Sequence, residues 1–237
     1  MKNKILFALL TMAAGSLLAA ETSPKDDLTA AAKKLAEQNY SWKTTTEMAN
    51  FSNTSEGKAD KDGLVWLSLT FGDNTTEVYL KGEKNEKGAV KRPDQDWQSL
   101  AEVSAADSGG QGRGRFLGRM LRNFKAPAAQ VEDLVTKTKE IKKDGDAYAA
   151  DLTEAGAKDL LSFGGRRGAN APEPTKAKGS VKVWLKDGLP SKYELKVQGT
   201  ININGEDRDI DRTQTIELKD IGKTKLEVPE EAKKKLS

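Results

Sequence analysis

The residues of this sequence with the clearest capacity for chemistry are the arginines around a glycine-rich stretch at positions 109–114. The stretch suggests a phosphate cradle, but it lacks the Gly-Lys-Ser/Thr ending of a P-loop and follows no predicted strand. A helix over 115–124 would instead separate the arginines from one apolar side, formed by Phe116, Leu117, Met120, Leu121 and Phe124. This pattern has two interpretations. Either Arg113, Arg115 and Arg119 contact an anionic headgroup, or the helix is a surface helix that packs on a sheet.

Acidic residues are the second group with the right chemistry. Asp207, Asp209 and Asp211 alternate in sequence, so a strand would place their carboxylates on one face, where oxygen ligands suit calcium. The interleaved Arg208 and Arg212 favour a solvated strand face instead, and no EF-hand loop is present. A hydrolase with a carboxylate pair stays open as an alternative, although nothing singles out two carboxylates.

The sequence contains no His and no Cys. This composition excludes imidazole bases, thiol nucleophiles, disulfides and the usual zinc and copper ligand sets. We therefore predict a protein without cofactor or resident metal that is not an enzyme.

Aromatic residues could line a binding site for a hydrophobic ligand, because such residues dominate the walls of ligand cavities. The candidate wall residues are Trp42, Trp66, Tyr79, Trp184 and Tyr193. The same residues are equally suited to packing a curved sheet against helices, so the sequence leaves both interpretations open.

The N-terminus has the pattern of a secretory signal peptide. A positive start with Lys2 and Lys4 precedes an apolar run that reaches Ala20, too short for a membrane span. We predict cleavage near Ala20 and a periplasmic or secreted mature chain, 21–237, that forms a single domain. Without Lys2 and Lys4 the chain has 37 basic and 36 acidic residues, a balance that argues against nucleic acid as a partner.

Hydrophobic periodicity predicts strands, then a helical insertion at 95–135, then strands again, which is an α+β fold. The predicted helices are 28–38, 97–103, 115–124, 127–135, 153–161 and 230–236. The predicted strands are 40–48, 64–71, 75–80, 89–92, 137–142, 147–152, 180–186, 192–203, 208–219 and 224–228. Residues 164–179, rich in Gly, Arg, Pro and Ala, are predicted to form a mobile loop.

One predicted hairpin resembles a known family more specifically than hydrophobic periodicity alone. Residues 181–193, Val-Lys-Val-Trp-Leu-Lys-Asp-Gly-Leu-Pro-Ser-Lys-Tyr, resemble a hairpin of the bacterial lipoprotein-carrier superfamily of LolA/LolB-like and LppX/LprG-like proteins. Residues 216–229 are similar to the closing segment of that group, a strand, a Gly turn and a strand that ends in Val-Pro. The resemblance implies a strongly curved, open antiparallel sheet, a half barrel whose concave face is covered by helices and holds acyl chains in carrier members. The acceptor arginine of the group has no matching motif here.

These observations predict an exported, non-catalytic carrier of a lipid or acylated ligand, with the five aromatic residues as cavity wall. The lid would be Phe116, Met120, Leu121 and Phe124, and Arg113, Arg115 and Arg119 would make transient contact with a membrane surface. The alternative is an envelope interaction or stress-sensor module of the same fold with a filled core and a protein partner.

Overall fold

A computed structural model describes residues 23–49, 51–82, 84–105, 113–162, 173–203 and 205–236, without the side chains of Phe71, Arg113 and Ile203. The predicted signal peptide and most of the glycine-rich stretch lie outside these residues.

Within them, eleven strands form one antiparallel sheet in the order β6-β5-β4-β3-β2-β1-β11-β10-β9-β8-β7. The strands are β1 (Tyr40–Met48), β2 (Phe51–Ala59), β3 (Val65–Phe71), β4 (Asn74–Lys81), β5 (Lys87–Lys91), β6 (Gln98–Ser99), β7 (Lys142–Asp144), β8 (Ala147–Asp151), β9 (Thr175–Lys186), β10 (Leu189–Ile203) and β11 (Glu206–Lys219). The end strands β6 and β7 do not pair with each other, so the sheet is open. The predicted fold class, an α+β curved half barrel, is confirmed.

Helices cover the sheet. They are α1 (Pro24–Ala36), α2 (Leu100–Ala105), α3 (Arg113–Arg122), α4 (Pro127–Lys137), α5 (Glu154–Leu161) and α6 (Glu230–Lys235). Local sequence fixes several of their ends: Ser23 caps α1, Pro127 occupies the first turn of α4, and Thr153 caps α5 by accepting the N–H of Gly156.

The two faces of the sheet carry separate apolar clusters, because successive side chains of a strand point to opposite sides. On the concave face, strand residues such as Leu67, Val78 and Val183 pack against α1 to α5. On the convex face, a smaller cluster under α6 and the preceding segment includes Tyr79 and Trp97.

Most predicted elements are present, although the predicted helix 97–103 begins only at Leu100 because Gln98 and Ser99 form β6. Four larger differences need correction. Strand β2 is absent from the prediction, because its sequence FSNTSEGKA is mostly polar, yet it pairs with β1 along its whole length and with β3 from Ser55 to Ala59. Residues 137–142 are not a strand as predicted, since α4 continues to Lys137 and β7 begins only at Lys142.

The third correction concerns the predicted loop at 164–179. Residues 163–172 lie outside the described part, but β9 begins at Thr175, so the end of that range is strand. The long hairpin of β10 and β11 supplies the partner, with Thr175 opposite Thr200 and Lys178 opposite Gln198.

The fourth correction concerns the predicted strand at 224–228. This segment has no strand partner among the described residues and instead crosses the convex face. Leu226 and Val228 pack on the convex cluster, and the hydroxyl of Tyr79 donates a hydrogen bond to the carbonyl of Glu227 at 2.9 Å. Packing on the sheet surface thus replaces pairing at its edge.

Candidate functional site

The centre of the concave face is an aromatic contact between β1 and the chain that follows α3. The buried ring of Trp42 lies parallel to Phe124, with ring centres 6.3 Å apart, and tilted against Tyr40 at 5.7 Å. Opposite Trp42 on β2 stands Gly57, and a Cβ at this position would overlap the indole ring. Gly57 therefore makes the space that Trp42 occupies.

Two tyrosines join the sheet to α4. The buried hydroxyl of Tyr193 donates to the side-chain carbonyl of Gln130 at 2.5 Å, and the hydroxyl oxygen of Tyr40 accepts the N–H of Ala128 at 3.3 Å. Burial raises the pKa of Tyr40 to about 12 and raises the pKa of Tyr193 well above its usual value. Both phenols are therefore neutral across the physiological pH range.

An apolar hollow remains where α1 and α4 cross the sheet above β8 and β9. Its cavity volume is about 10 Å³, room for roughly one water molecule. The lining residues are Leu28, Val131, Leu134, Val135, Thr138, Ile141, Tyr148, Ala150, Val181 and Val183. Tyr148 stands at this end of the sheet, where its hydroxyl donates to the carboxylate of Asp27 on α1 at 2.9 Å. The concave interior is therefore apolar and nearly filled.

Helix α3 lies over the same face. Its apolar residues cover more of the helix surface than the core buries, so some of them remain exposed. Leu121 is fully buried, Met120 and Phe124 are half-buried against the concave cluster, and Phe116 is 58% exposed. The amide of Asn85, on the turn between β4 and β5, donates to the carbonyls of Leu121 and Phe124 at 3.0 and 2.8 Å. The bond to Leu121 satisfies a carbonyl in the last turn of α3, which lacks a partner within the helix, and the bond to Phe124 holds the chain that follows it.

The arginines of α3 lie away from the core. Arg115 and Arg119 are exposed, as the helical spacing predicts, and the side chain of Arg113 is outside the described part. One ion-pair network follows the helix: Lys125 contacts Asp133 at 2.6 Å, and Lys137 bridges Asp133 and Asp159, each at 2.5 Å. Burial opposes the ionisation of Asp133, but hydrogen bonds from both lysines outweigh it and lower its pKa.

The five predicted wall residues do not share one cavity. Trp42 and Tyr193 face the concave cluster, whereas Trp66 and Tyr79 belong to the convex cluster and Trp184 also lies on the convex side. The reason is the alternation of strands: Trp66 lies between Val65 and Leu67, both of which point to the concave face. Of the five, Trp42 and Tyr193 lie on the concave face, and neither of them lines the hollow.

The acidic row at 207–211 lies along the hairpin of β10 and β11. Each carboxylate accepts a hydrogen bond from the residue opposite: Asp211 from Gln198, Asp209 from Thr200 and Asp207 from Asn202, at 2.7 to 2.8 Å. Within the described ranges, no three acidic side chains are grouped as ligands for a metal ion.

Sequence reasoning did not find the lining of the hollow. Its residues come from α1, α4, the loop after α4, β8 and β9, and each alone has the pattern of an ordinary core residue. The available signal was the apolar stripe of α4, where Val131, Leu134 and Val135 share one side.

No helix in the part of the chain that the structure covers combines the length and apolar character needed to cross a membrane.

Comparison with known proteins gave matches only among solved structures: no family model matches the sequence, and no curated protein matches it. The chain is similar to a LolA superfamily protein from Nitrosomonas europaea, with 14% identity over 87% of this chain and 96% of the other and a TM-score of 0.35. It is also similar to a DUF1329 family protein from Desulfovibrio piger, with 9% identity over 88% and 96% and a TM-score of 0.34. A third match is the MucA/MucB complex of Pseudomonas aeruginosa, with 14% identity over 87% of this chain and 61% of that chain and a TM-score of 0.33.

Proposed function

We propose that this chain is an exported protein that binds an acyl chain, or a ligand of similar hydrophobic character, on the concave face of its sheet. The observation that carries the proposal is the hollow between α1, α4 and strands β8 and β9, whose lining is apolar except for Thr138 and the hydroxyl of Tyr148. An apolar space beneath a layer of helices suits an acyl chain, which needs to be shielded from water.

The hollow must widen to admit such a ligand. Burial contributes about 0.8 kcal/mol for each CH₂, so a chain of about ten CH₂ groups gives a gross gain of roughly 8 kcal/mol. This gain can offset the loss of contacts when one helix moves from the sheet. The open state that can bind the ligand is then a minor one in the free protein, and the apparent affinity is reduced in proportion to the fraction of molecules in that state.

Helix α3 is the lid in this proposal: it does not line the hollow itself but covers the adjoining part of the concave cluster, through which the ligand would enter. Its buried side covers the concave cluster, and its exposed Phe116 lies beside Arg115 and Arg119, as expected of a helix that meets an anionic membrane surface. The ligand would pass between this surface and the concave face in the periplasm or outside the cell.

A sensor or interaction module of the same fold is the second candidate. The small volume of the hollow favours it, because a filled core leaves recognition to surfaces such as the exposed Phe51 and Phe116. This candidate requires a protein partner in the envelope and predicts no acyl binding.

Two neighbouring alanines of β8 give a matched test. Ala150 lines the hollow, and Ala149 points to the opposite face of the same strand. Binding of a dansyl-labelled fatty acid would be measured by fluorescence titration for the wild type, Ala150→Leu and Ala149→Leu. We expect Ala150→Leu to weaken binding by about tenfold or more and Ala149→Leu to change it by less than about twofold.

Thermal melting of both variants controls for folding. If the wild type does not bind the probe, or if both substitutions weaken binding equally, the chain does not hold its ligand in the hollow.

A further inference from the structure

The convex face carries a groove that the acyl-binding proposal does not use. Its cavity volume is about 450 Å³, and it lies between strands β2 to β4 and the segment at 225–229. Lys58, Trp66 and Tyr79 form its floor, since Trp66 is paired in register with Lys58 on one side and Tyr79 on the other. The other lining residues are Glu77, Lys225, Leu226, Glu227 and Pro229.

The wall of the groove is held in place. Leu226 packs in the convex cluster with Trp66, and the hydroxyl of Tyr79 holds the carbonyl of Glu227. Beyond Pro229, helix α6 is tied round the edge of the sheet to α2, where Lys235 contacts Glu102 at 2.8 Å. The groove is therefore a built feature of the fold and does not depend on a ligand to form.

Both signs of charge line this groove without pairing. Among the described residues, Lys58, Lys225, Glu77 and Glu227 form no ion pair, and the indole N–H of Trp66 makes no hydrogen bond. The ammonium of Lys58 lies 5.3 Å from the centre of the Trp66 ring. Elsewhere on the surface oppositely charged neighbours do meet, as Lys182 and Asp144 do at 2.8 Å.

We propose that this groove binds a neutral sugar, as one or two pyranose rings of an oligosaccharide. A pyranose presents a C–H face that packs on a flat indole, and hydroxyl groups at its rim that both donate and accept hydrogen bonds. The indole of Trp66 offers the flat surface, the two glutamates accept, and the two lysines and the indole N–H donate. Hydrogen bonds to charged groups are the stronger kind, which suits an uncharged polar ligand.

The charge balance of the groove selects against ions. The charges of two lysines and two glutamates cancel, so the net electrostatic potential of the groove attracts neither an anion nor a cation. Lys58 leaves the ring at little cost, since an exposed cation–π contact contributes about 0.5–1 kcal/mol. Its ammonium then reaches a sugar hydroxyl.

The experiment uses uncharged trisaccharides and two tryptophan variants. Cellotriose, maltotriose and chitotriose are titrated against the full mature chain by ligand-observed NMR, with phosphocholine as a zwitterionic probe. Trp66→Ala removes the floor of the groove. Trp184→Ala is the matched control, because Trp184 also lies on the convex face, between Lys182 and Lys192, but outside the groove.

We expect saturable binding of at least one trisaccharide with a Kd of about 1 mM or below, weakened about tenfold by Trp66→Ala and by less than about twofold by Trp184→Ala. Glu77→Gln, a change at the groove rim, is expected to weaken binding by about threefold without changing the melting temperature. The fatty acid titration is expected to be the same for all three variants.

Three results would overturn the proposal: no saturation by any trisaccharide up to about 10 mM, equal losses in the two tryptophan variants, or binding of phosphocholine in place of the sugars.

Discussion

The concave and convex faces of the sheet are built from neighbouring residues of the same strands, but they differ in how tightly they are packed and in how much of their surface is accessible. The concave face is apolar and closed: Trp42 fits over Gly57, Tyr193 is fully buried, and the remaining hollow measures about 10 Å³. The convex face is only partly covered, by α6 and the segment before it, and it keeps an open groove of about 450 Å³ floored by Trp66. Tryptophan therefore has two roles: Trp42 packs the concave interior, and Trp66 forms an accessible surface on the convex face.

The largest expected difference between the faces is in stability. Trp42→Ala removes a buried ring stacked on Phe124 and is expected to lower the free energy of unfolding by about 3–5 kcal/mol. Trp184→Ala removes a half-buried ring between two lysines and is expected to cost about 1 kcal/mol. Urea denaturation of the two variants measures the difference, and equal costs would show that the faces are not packed differently.

The residues on either side of each aromatic residue already indicate which face of the sheet its ring lies on. Trp66, Tyr79 and Trp184 each lie between two apolar residues, Val65 and Leu67, Val78 and Leu80, Val183 and Leu185. Because side chains alternate between the two faces along a strand, apolar flanking residues on the concave face place the aromatic ring between them on the convex face. The alternation of strands was thus sufficient to separate the wall residues.

Other features could not be predicted from local pattern. The hollow arises because Leu28, Val131, Tyr148 and Val183 meet without filling the space between them, which depends on packing between distant elements. The convex groove exists because residues 224–229 pack on the sheet surface and do not extend it, although their sequence has strand character. Strand β2 is polar and acquires its conformation from its two neighbours.

The second prediction concerns alkaline pH and the two most deeply buried tyrosines, Tyr40 and Tyr193. Because burial raises the pKa of Tyr40 from 10.0 to about 12 and raises that of Tyr193 as well, the folded state holds both protons where the unfolded chain releases them. The stability from these neutral phenols is full below pH 10 and is lost as the pH rises towards 12. The expected slope is about 1.4 kcal/mol per pH unit for each tyrosine.

Urea midpoints between pH 9 and about pH 11 test this slope. Tyr40→Phe removes one of these two buried phenols and is expected to make the decline shallower, whereas Tyr79 and Tyr148, whose pKa values are also raised, contribute equally in both proteins. An unchanged slope in that variant would show that Tyr40 ionises in the folded protein.

The third prediction separates the lid from the groove. A Cβ at Gly118 on α3 would lie 3.7 Å from the Cβ of Ser104 on α2, within the usual range for a disulfide. Since the chain has no Cys, Gly118→Cys with Ser104→Cys forms a single defined crosslink. Oxidation is expected to slow uptake of the fatty acid probe by about tenfold and to leave binding in the convex groove unchanged, and reductant is expected to restore uptake.

Each single cysteine variant is the control for this crosslink. Uptake at the same rate in the oxidised and reduced forms would mean that α3 does not move as a lid.

The most direct test of acyl binding on the concave face is to map where an acyl chain lies. A fatty acid with a diazirine in its chain would be bound to the protein and photolysed, and the labelled peptides would be identified by mass spectrometry. We expect adducts at the residues that line the hollow, on α4 at 131–135 and on β8 and β9 at 148–150 and 181–183. Adducts confined to the convex face, or to the exposed Phe51 and Phe116, would contradict acyl binding in the hollow.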